Sequence, residues 1–252
     1  MQRLDKLLVD RNIVTTRAQA QKLIEADLVE IRVVGIWQIQ NKPAAKCDDR
    51  CEIRVGEHPE LRYVSRAGLK LEAALTACGI AVKDFVALDV GQSTGGFTDC
   101  LLQHGAAKVV GVDVGRDQLV PALRDDARVV CLEGLNARYL TVDDLADTET
   151  AFDIVVMDVS FISQTLILPN LPALLKPQGL LMTLIKPQFE LGPEALNKGG
   201  IVKDLQKVAA LEPKFKDLIQ DLGFEVLNYL PSPIEGGDGN VEFLMVARLV
   251  GG

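Results

Sequence analysis

The stretch that decides the fold is Leu88-Asp89-Val90-Gly91-Gln92-Ser93-Thr94-Gly95-Gly96-Phe97, an apolar run that passes through an acid into a glycine-rich turn and then a helix. Glycine is needed where backbone takes a positive φ or lets another group approach closely, and the C-terminal edge of a parallel strand is where open α/β sheets bind ligands. The glycines fall as G-x-x-x-G-G, unlike the G-x-G-x-x-G of dinucleotide sites, and no Lys-Ser or Lys-Thr follows as in a phosphate loop. The spacing points to a nucleoside ligand without a pyrophosphate. A turn that merely packs a helix onto a strand is the competing reading.

Outward from this turn, apolar runs of strand length recur at 85–90, 109–113, 129–132, 154–158 and 179–185, with helical stretches between several of them. Uninterrupted apolar runs mark strands buried on both faces, which predicts a doubly wound, Rossmann-like α/β domain; strands near 225–229 and 241–246 would finish the sheet. Polar residues sit where these runs end. Asp113 closes the second run, where an acid can accept hydrogen bonds from both hydroxyls of a ribose, and Asn136 beyond the third offers an amide to an adenine edge. Asp158 and Lys186 end adjacent strands and would face one cleft. Lys70 lies on a helix over 65–78, and Glu242 lies in the last strand, where alternation points it outward as readily as inward. The long connection 187–202 exceeds ordinary loop length and is a candidate substrate loop.

The first 60 residues carry ten basic and ten acidic side chains, so the net charge of −8 resides in the remainder. With a length of 252 residues this predicts a small domain, 1–58, and a large one, 59–252, joined by a linker at 55–60. In the small domain, Leu4, Leu7 and Leu8 face inward from one short helix. A second helix follows over 17–26 with Thr15 or Thr16 as its cap, and β-branched residues then alternate around a turn at Gly35. Arg3, Lys6, Arg11, Arg17 and Lys22 offer a phosphate footprint, with an ordinary solvated face as the alternative, and Trp37 offers a ring for stacking. Five scattered cysteines and two histidines supply neither a disulfide framework nor a zinc set, so no metal is expected. No apolar run is long enough to span a bilayer, and charged Asp5, Lys6, Asp10 and Arg11 interrupt the N-terminus, so a cytoplasmic location is expected.

The segments Val64-Ser65-Arg66-Ala67-Gly68-Leu69-Lys70-Leu71, Asp89-Val90-Gly91 through Gly95-Gly96-Phe97-Thr98-Asp99, Met157 through Ser163, Lys186-Pro187-Gln188-Phe189-Glu190 and Gly239-Asn240-Val241-Glu242-Phe243 resemble the TlyA family of haemolysin-like, FtsJ-type rRNA methyltransferases. The resemblance implies an S-adenosylmethionine-dependent enzyme acting on a ribose 2'-hydroxyl of ribosomal RNA, with an N-terminal RNA-binding domain of the alpha-L, ribosomal-protein-S-four type. It implies a catalytic set of Lys70, Asp158, Lys186 and Glu242; the cofactor contacts expected from the glycine turn and the strand ends are Asp89, Gly91, Ser93, Gly95, Gly96, Phe97, Asp113 and Asn136. The small domain departs from the family pattern at Asp27, where a glycine is usual, and at Val33-Val34-Gly35, where an Asn-Gly turn is usual. The competing functions are a non-catalytic rRNA-binding protein and a membrane-active haemolysin-like protein.

Overall fold

The apolar runs converge on one central sheet. The computed structural model describes residues 1–14, 16–56, 61–149, 151–234, 236 and 239–250, and the chain divides into two compact units, Met1–Ser65 and Arg66–Gly252. The boundary expected after residue 58, and most of the expected linker, fall at 57–60, outside the described residues.

The first unit contains β1 (Gln2–Arg3), α1 (Leu4–Asp10), α2 (Arg17–Glu25), β2 (Val29–Val33), β3 (Ile36–Gln40), β4 (Lys46–Cys47) and β5 (Ile53–Val55). Leu4, Leu7 and Leu8 from α1 and Ala20, Leu23 and Ile24 from α2 share a buried cluster with Val29 and Ile31 of β2. Thr16 caps α2, its hydroxyl accepting from the Gln19 N–H at 3.2 Å; Thr15 lies outside the described residues. Strands β2 and β3 pair antiparallel through the two-residue turn Val34-Gly35, with φ of 49° and 84°. Positive φ at both positions matches the right-handed twist of the strands, but it crowds a β-branched side chain, and Val34 is 97 % exposed, so no burial offsets the strain. Asp27, at the other departure from the family pattern, also adopts a left-handed φ of 58°.

The second unit runs α3 (Ala67–Cys78), β6 (Val86–Val90), α4 (Gly96–Gln103), β7 (Lys108–Asp113), α5 (Pro121–Arg124), β8 (Val129–Glu133), β9 (Phe152–Met157) and β10 (Leu175–Ile185). It continues with α6 (Pro187–Glu190), α7 (Leu205–Ala209), α8 (Leu211–Asp221), β11 (Phe224–Pro231) and β12 (Phe243–Leu249). The seven strands lie in the order β11-β12-β10-β9-β6-β7-β8. Strands β6 to β10 are parallel, as the unbroken apolar runs predict, and Leu88, Val90, Val110, Val155, Met157 and Leu181 are buried in the main core. The sheet is mixed, because β12 inserts antiparallel between β10 and β11. A return as short as 232–242 closes a hairpin and leaves no room for a crossover. Between β8 and β9, and between β9 and β10, the described residues form only short 3-10 turns instead of crossover helices.

Strands β7 and β8 extend to one side of β6 while β9 and β10 extend to the other, so the strand order reverses between β6 and β9. The crevice outside the carboxyl ends of these two strands is the ligand position of an open α/β sheet. The register Ile185↔Phe243 brings the start of β12 to the same edge as the end of β10. Glu242 therefore precedes β12 instead of lying within a strand as expected, and of the two directions that alternation left open it takes the inward one, at 3 % exposure.

Candidate active site

At the strand-order reversal a cavity of about 520 Å³ opens, lined by the turn after β6 (Gly91, Ser93), the end of β7 (Val112, Asp113, Val114), Gln118, Leu135 to Ala137, and the segment after β9 (Asp158 to Ile162) with Ile167. Gly91 has a φ of 85°, and a β-carbon there would stand 2.5 Å from the Asp158 carbonyl oxygen, so only glycine lets the two strand ends meet. Asp113 accepts from the Ser93 N–H through Oδ2 and from the Gly115 N–H through Oδ1, both at 2.7 Å. Each oxygen keeps a second acceptor site for a ligand donor. Asn136 uses Oδ1 to accept the Arg138 N–H at 3.0 Å, which fixes the side chain at the cavity wall and leaves its NH₂ for a ligand acceptor.

The other glycine-turn residues serve the wall from behind. Gly95 is left-handed at φ 96°, and a β-carbon there would stand 2.4 Å from Leu123 and 2.7 Å from Leu119, so this glycine admits helix packing and does not line the cavity. Gly96 and Phe97 are buried in the first turn of α4, again outside the lining. Asp89 is 1 % exposed and accepts from Thr98 Oγ1 at 2.7 Å, and Gln92 Nε2 donates to the same hydroxyl at 3.0 Å. Burial pushes the Asp89 carboxyl up to about 7, opposed by the Thr98 bond and reinforced by the charges of Asp158 and Asp113. Asp89 Oδ1 and Gln92 Oε1 have no hydrogen-bond partner among the described residues. Asp89 thus backs the wall with an acceptor that a cationic ligand would favour in its charged form.

Beside the cavity the four residues of the expected catalytic set form two close ion pairs. Lys186, at the end of β10, brings Nζ to 2.5 Å from Asp158 Oδ1, off the axis of a hydrogen bond, and donates to Ser160 Oγ at 3.0 Å. Lys70 on α3 donates to Glu242 Oε2 at 2.5 Å, with both side chains buried. A buried ionised lysine or carboxylate is unfavourable unless paired, and these four neutralise one another in twos at the same sheet edge. Asp158 and Ser160 also line the cavity, so the Lys186 pair adjoins the ligand space directly.

Sequence reasoning did not single out Ser160 or Phe161. Phe161 has a φ of 63°, is 91 % exposed at the cavity rim, and stands 5.2 Å from the Phe189 ring. An exposed aromatic in a left-handed conformation is a costly arrangement, and such strain collects at functional sites. The available signal is an aromatic three residues beyond Asp158, the acid that ends a buried strand. The long connection after Lys186 is also more ordered than a loop. It forms α6, a 3-10 turn over Pro193–Ala195 and a bridge between Leu196 and Val202, and buried Asn240 ties it by accepting from Val202 N–H and donating to the Gly200 carbonyl.

The basic residues of the first unit are partly engaged within it. Asp5 is fully buried and accepts from Arg3 at 2.9 and 3.0 Å, Arg17 at 2.8 Å and Gln21 at 3.0 Å. The Arg3 bonds, opposed by burial and joined by Arg17 and Gln21, hold the Asp5 carboxyl far below the usual carboxylate range. Arg11 donates to the Asp49 and Cys51 carbonyls, and Lys6 lies 3.7 Å from Asp10. The expected footprint is therefore not one helix face of free cations, although Arg3, Lys6 and Arg17 keep about half of each side chain in solvent. The guanidiniums of Arg54, at 4.6 Å, and Arg32, at 5.9 Å, both lie over the Trp37 ring, so it already has cationic partners.

Comparison with known proteins bears on this geometry. The FtsJ-like methyltransferase family model matches residues 63–249. The 16S/23S rRNA (cytidine-2'-O)-methyltransferase TlyA of Mycobacterium tuberculosis is 40 % identical over 246 residues, covering 98 % of this chain and 89 % of that protein. Hemolysin A of Brachyspira hyodysenteriae is 41 % identical over 243 residues, covering 96 % and 98 %. Among solved structures, a candidate hemolysin of Streptococcus thermophilus superposes with a TM-score of 0.74 at 41 % identity, covering 98 % of this chain and 88 % of that one. Among the described residues no helix is long and apolar enough to cross a membrane. With the glycine turn, the ribose-competent acid and both ion pairs inside the matched span, the chain belongs to the FtsJ-like methyltransferase family, in the group that includes TlyA and hemolysin A.

Proposed function

We propose that this protein transfers a methyl group from S-adenosylmethionine to a ribose 2'-hydroxyl of ribosomal RNA. The observation that carries the reading is the Lys186–Asp158 pair directly beside a nucleoside-sized cavity. The residues present fit the donor. Asp113 can accept from both ribose hydroxyls, Asn136 can meet an adenine edge, and Gly91 and Ser93 supply a close backbone wall. Asp89 stands behind that wall with one carboxyl oxygen, Oδ1, unpartnered among the described residues, and a cationic ligand would favour its charged form. S-adenosylmethionine, when bound, supplies a methyl group on a positively charged sulfur. The acceptor hydroxyl becomes a competent nucleophile only as its proton leaves or its growing negative charge is held, and we assign this to Lys186 Nζ, which contacts Asp158 and Ser160 of the cavity wall. Asp158 and Ser160 fix the amine, and Lys70 with Glu242 completes the charge balance of the edge. The relatives' names specify ribosomal RNA and cytidine for those proteins, and we carry the RNA ribose to this chain. The first unit is the RNA-recruiting module, with Arg3 and Arg17 presented from the Asp5 clamp and Lys6, Arg11 and Lys22 as its further cations.

The test is transfer of tritiated methyl from S-adenosylmethionine to stripped ribosomal RNA, followed by alkaline hydrolysis. A 2'-O-methyl group removes the nucleophile for strand cleavage, so the label is expected in alkali-resistant dinucleotides; label in mononucleotides would place the methyl on a base and overturn the reading. Residues 62–252 alone are expected to bind the cofactor normally but to bind RNA more weakly and with a shallower salt dependence.

Asp113→Ala is expected to weaken S-adenosylmethionine binding by ~1.5 to 3 kcal/mol, the range for hydrogen bonds to a charged acceptor. Because the same change frees the Ser93 and Gly115 amides, binding of S-adenosylmethionine and of methionine should be compared by calorimetry. A loss confined to the nucleoside-bearing ligand supports the ribose role, and unchanged affinity for S-adenosylmethionine would remove it.

A further inference from the structure

The segment after β9 has no crossover helix to support it, yet it must deliver both Asp158 and Ser160 to Lys186. It also contains Phe161, exposed and left-handed, which the chain would not adopt without restraint. One end of this turn is fixed by the Asp158 N–H, which donates to the Val90 carbonyl at 3.0 Å. The other end is fixed from the stretch that surrounds Lys186 itself. Glu190, on α6 four residues after Lys186, accepts from Ser163 Oγ at 2.6 Å through Oε2 and from the Gln164 N–H at 2.8 Å through Oε1. Gln164 is 1 % exposed, accepts from Thr183 Oγ1 at 2.6 Å and donates to the Leu184 carbonyl.

The tie is specific in its chemistry. Two donors, one N–H and one O–H, converge on Glu190 from adjacent residues, and a carboxylate offers them two acceptor oxygens at once. Its partners lie three and four residues beyond Ser160, while Thr183 and Leu184 lie just before Lys186. The network joins the two segments whose relative placement sets the Lys186, Asp158 and Ser160 contacts, and Glu190 itself does not line the cavity.

We propose that Glu190 is a positioning residue for methyl transfer, acting through the 159–163 turn to hold Asp158 and Ser160 against Lys186. The assignment rests on the functional reading above. Glu190→Ala is expected to lower the single-turnover rate at least tenfold while RNA affinity stays within twofold. Glu190→Gln keeps an acceptor for the Gln164 N–H and can donate to Ser163 Oγ, so it should recover the rate to within threefold. In a Lys186→Ala background the added Glu190→Ala change should cost less than twofold, because the amine it positions is gone.

Either of two rate results would overturn the proposal: a wild-type rate in Glu190→Ala, or a full tenfold further loss in the Lys186→Ala background. Should Glu190→Ala fail to fold, Ser163→Ala removes one arm of the tie and is expected to slow transfer severalfold; no slowing counts against the idea. Hydrogen exchange provides a readout that needs no activity. Amides at 160–165 should exchange faster in the Glu190 or Ser163 variant while the β6 amides do not, and unchanged exchange refutes the tie. Failure of the wild-type chain to methylate RNA would instead sink the functional reading, and the exchange result would still decide the tie.

Discussion

Lys186→Ala is expected to lower the single-turnover rate of methyl transfer by ~100-fold or more, the usual scale for losing an acid–base group, equivalent to about 2.7 kcal/mol of transition-state stabilisation. Cofactor affinity should change by less than about twofold, because Lys186 lies outside the residues lining the cavity and touches it only through Asp158 and Ser160. An effect on rate without an effect on binding is the signature of a group that acts on the acceptor during reaction. Removing the amine leaves Asp158 without its ion partner at 16 % side-chain exposure, so some stability should also be lost. A melting curve measured alongside the rate separates the two effects. Methylation of RNA by Lys186→Ala near the wild-type rate would end the proposed mechanism, whatever became of the cofactor assignment.

Much of this site is legible in sequence because strand ends are legible. A short, β-branched apolar run such as Ile154 to Met157 reads as a strand buried on both faces, and the polar residue that stops it, Asp158, then stands at the carboxyl edge. The same logic locates Asp113 and Lys186. It fails for Glu242, because periodicity gives the two faces of a strand but not where pairing begins. Glu242 sits one residue ahead of β12, where the chain enters the sheet, and its direction is decided by Lys70, 172 residues earlier in the chain. The glycine turn was legible as a turn but not by position. Gly91 and Gly95 carry the same letter and both need positive φ, yet one admits the Asp158 carbonyl beside the cavity and the other admits Leu119 and Leu123 behind it. Only three-dimensional packing separates these uses. In the first unit the spacing of Arg3, Arg17 and Asp5 gave no sign that the acid would be buried between the two guanidiniums, because the clamp joins different helices.

Replacing Lys70 alone is expected to damage the fold more than the chemistry requires. In Lys70→Ala, Glu242 would remain at 3 % exposure with its ion partner gone, and breaking a buried pair from one side costs about 3–5 kcal/mol. Lost activity in that variant would therefore say little about catalysis. Lys70→Met combined with Glu242→Leu replaces both charges by apolar side chains of similar volume, and such swaps are often neutral or better for stability. The double variant should melt within a few degrees of the unchanged protein while Lys70→Ala melts well below it. If the pair serves the reaction, the double variant should still transfer methyl at least tenfold more slowly in a single turnover, despite its intact fold. The reason is electrostatic. The pair lies at the sheet edge shared with Lys186 and Asp158, and fixed charges in a water-poor site act on developing charge far more strongly than they would in solvent. Wild-type turnover in a stable double variant would reduce Lys70 and Glu242 to a structural strut and leave Lys186 and Asp158 to carry the chemistry alone.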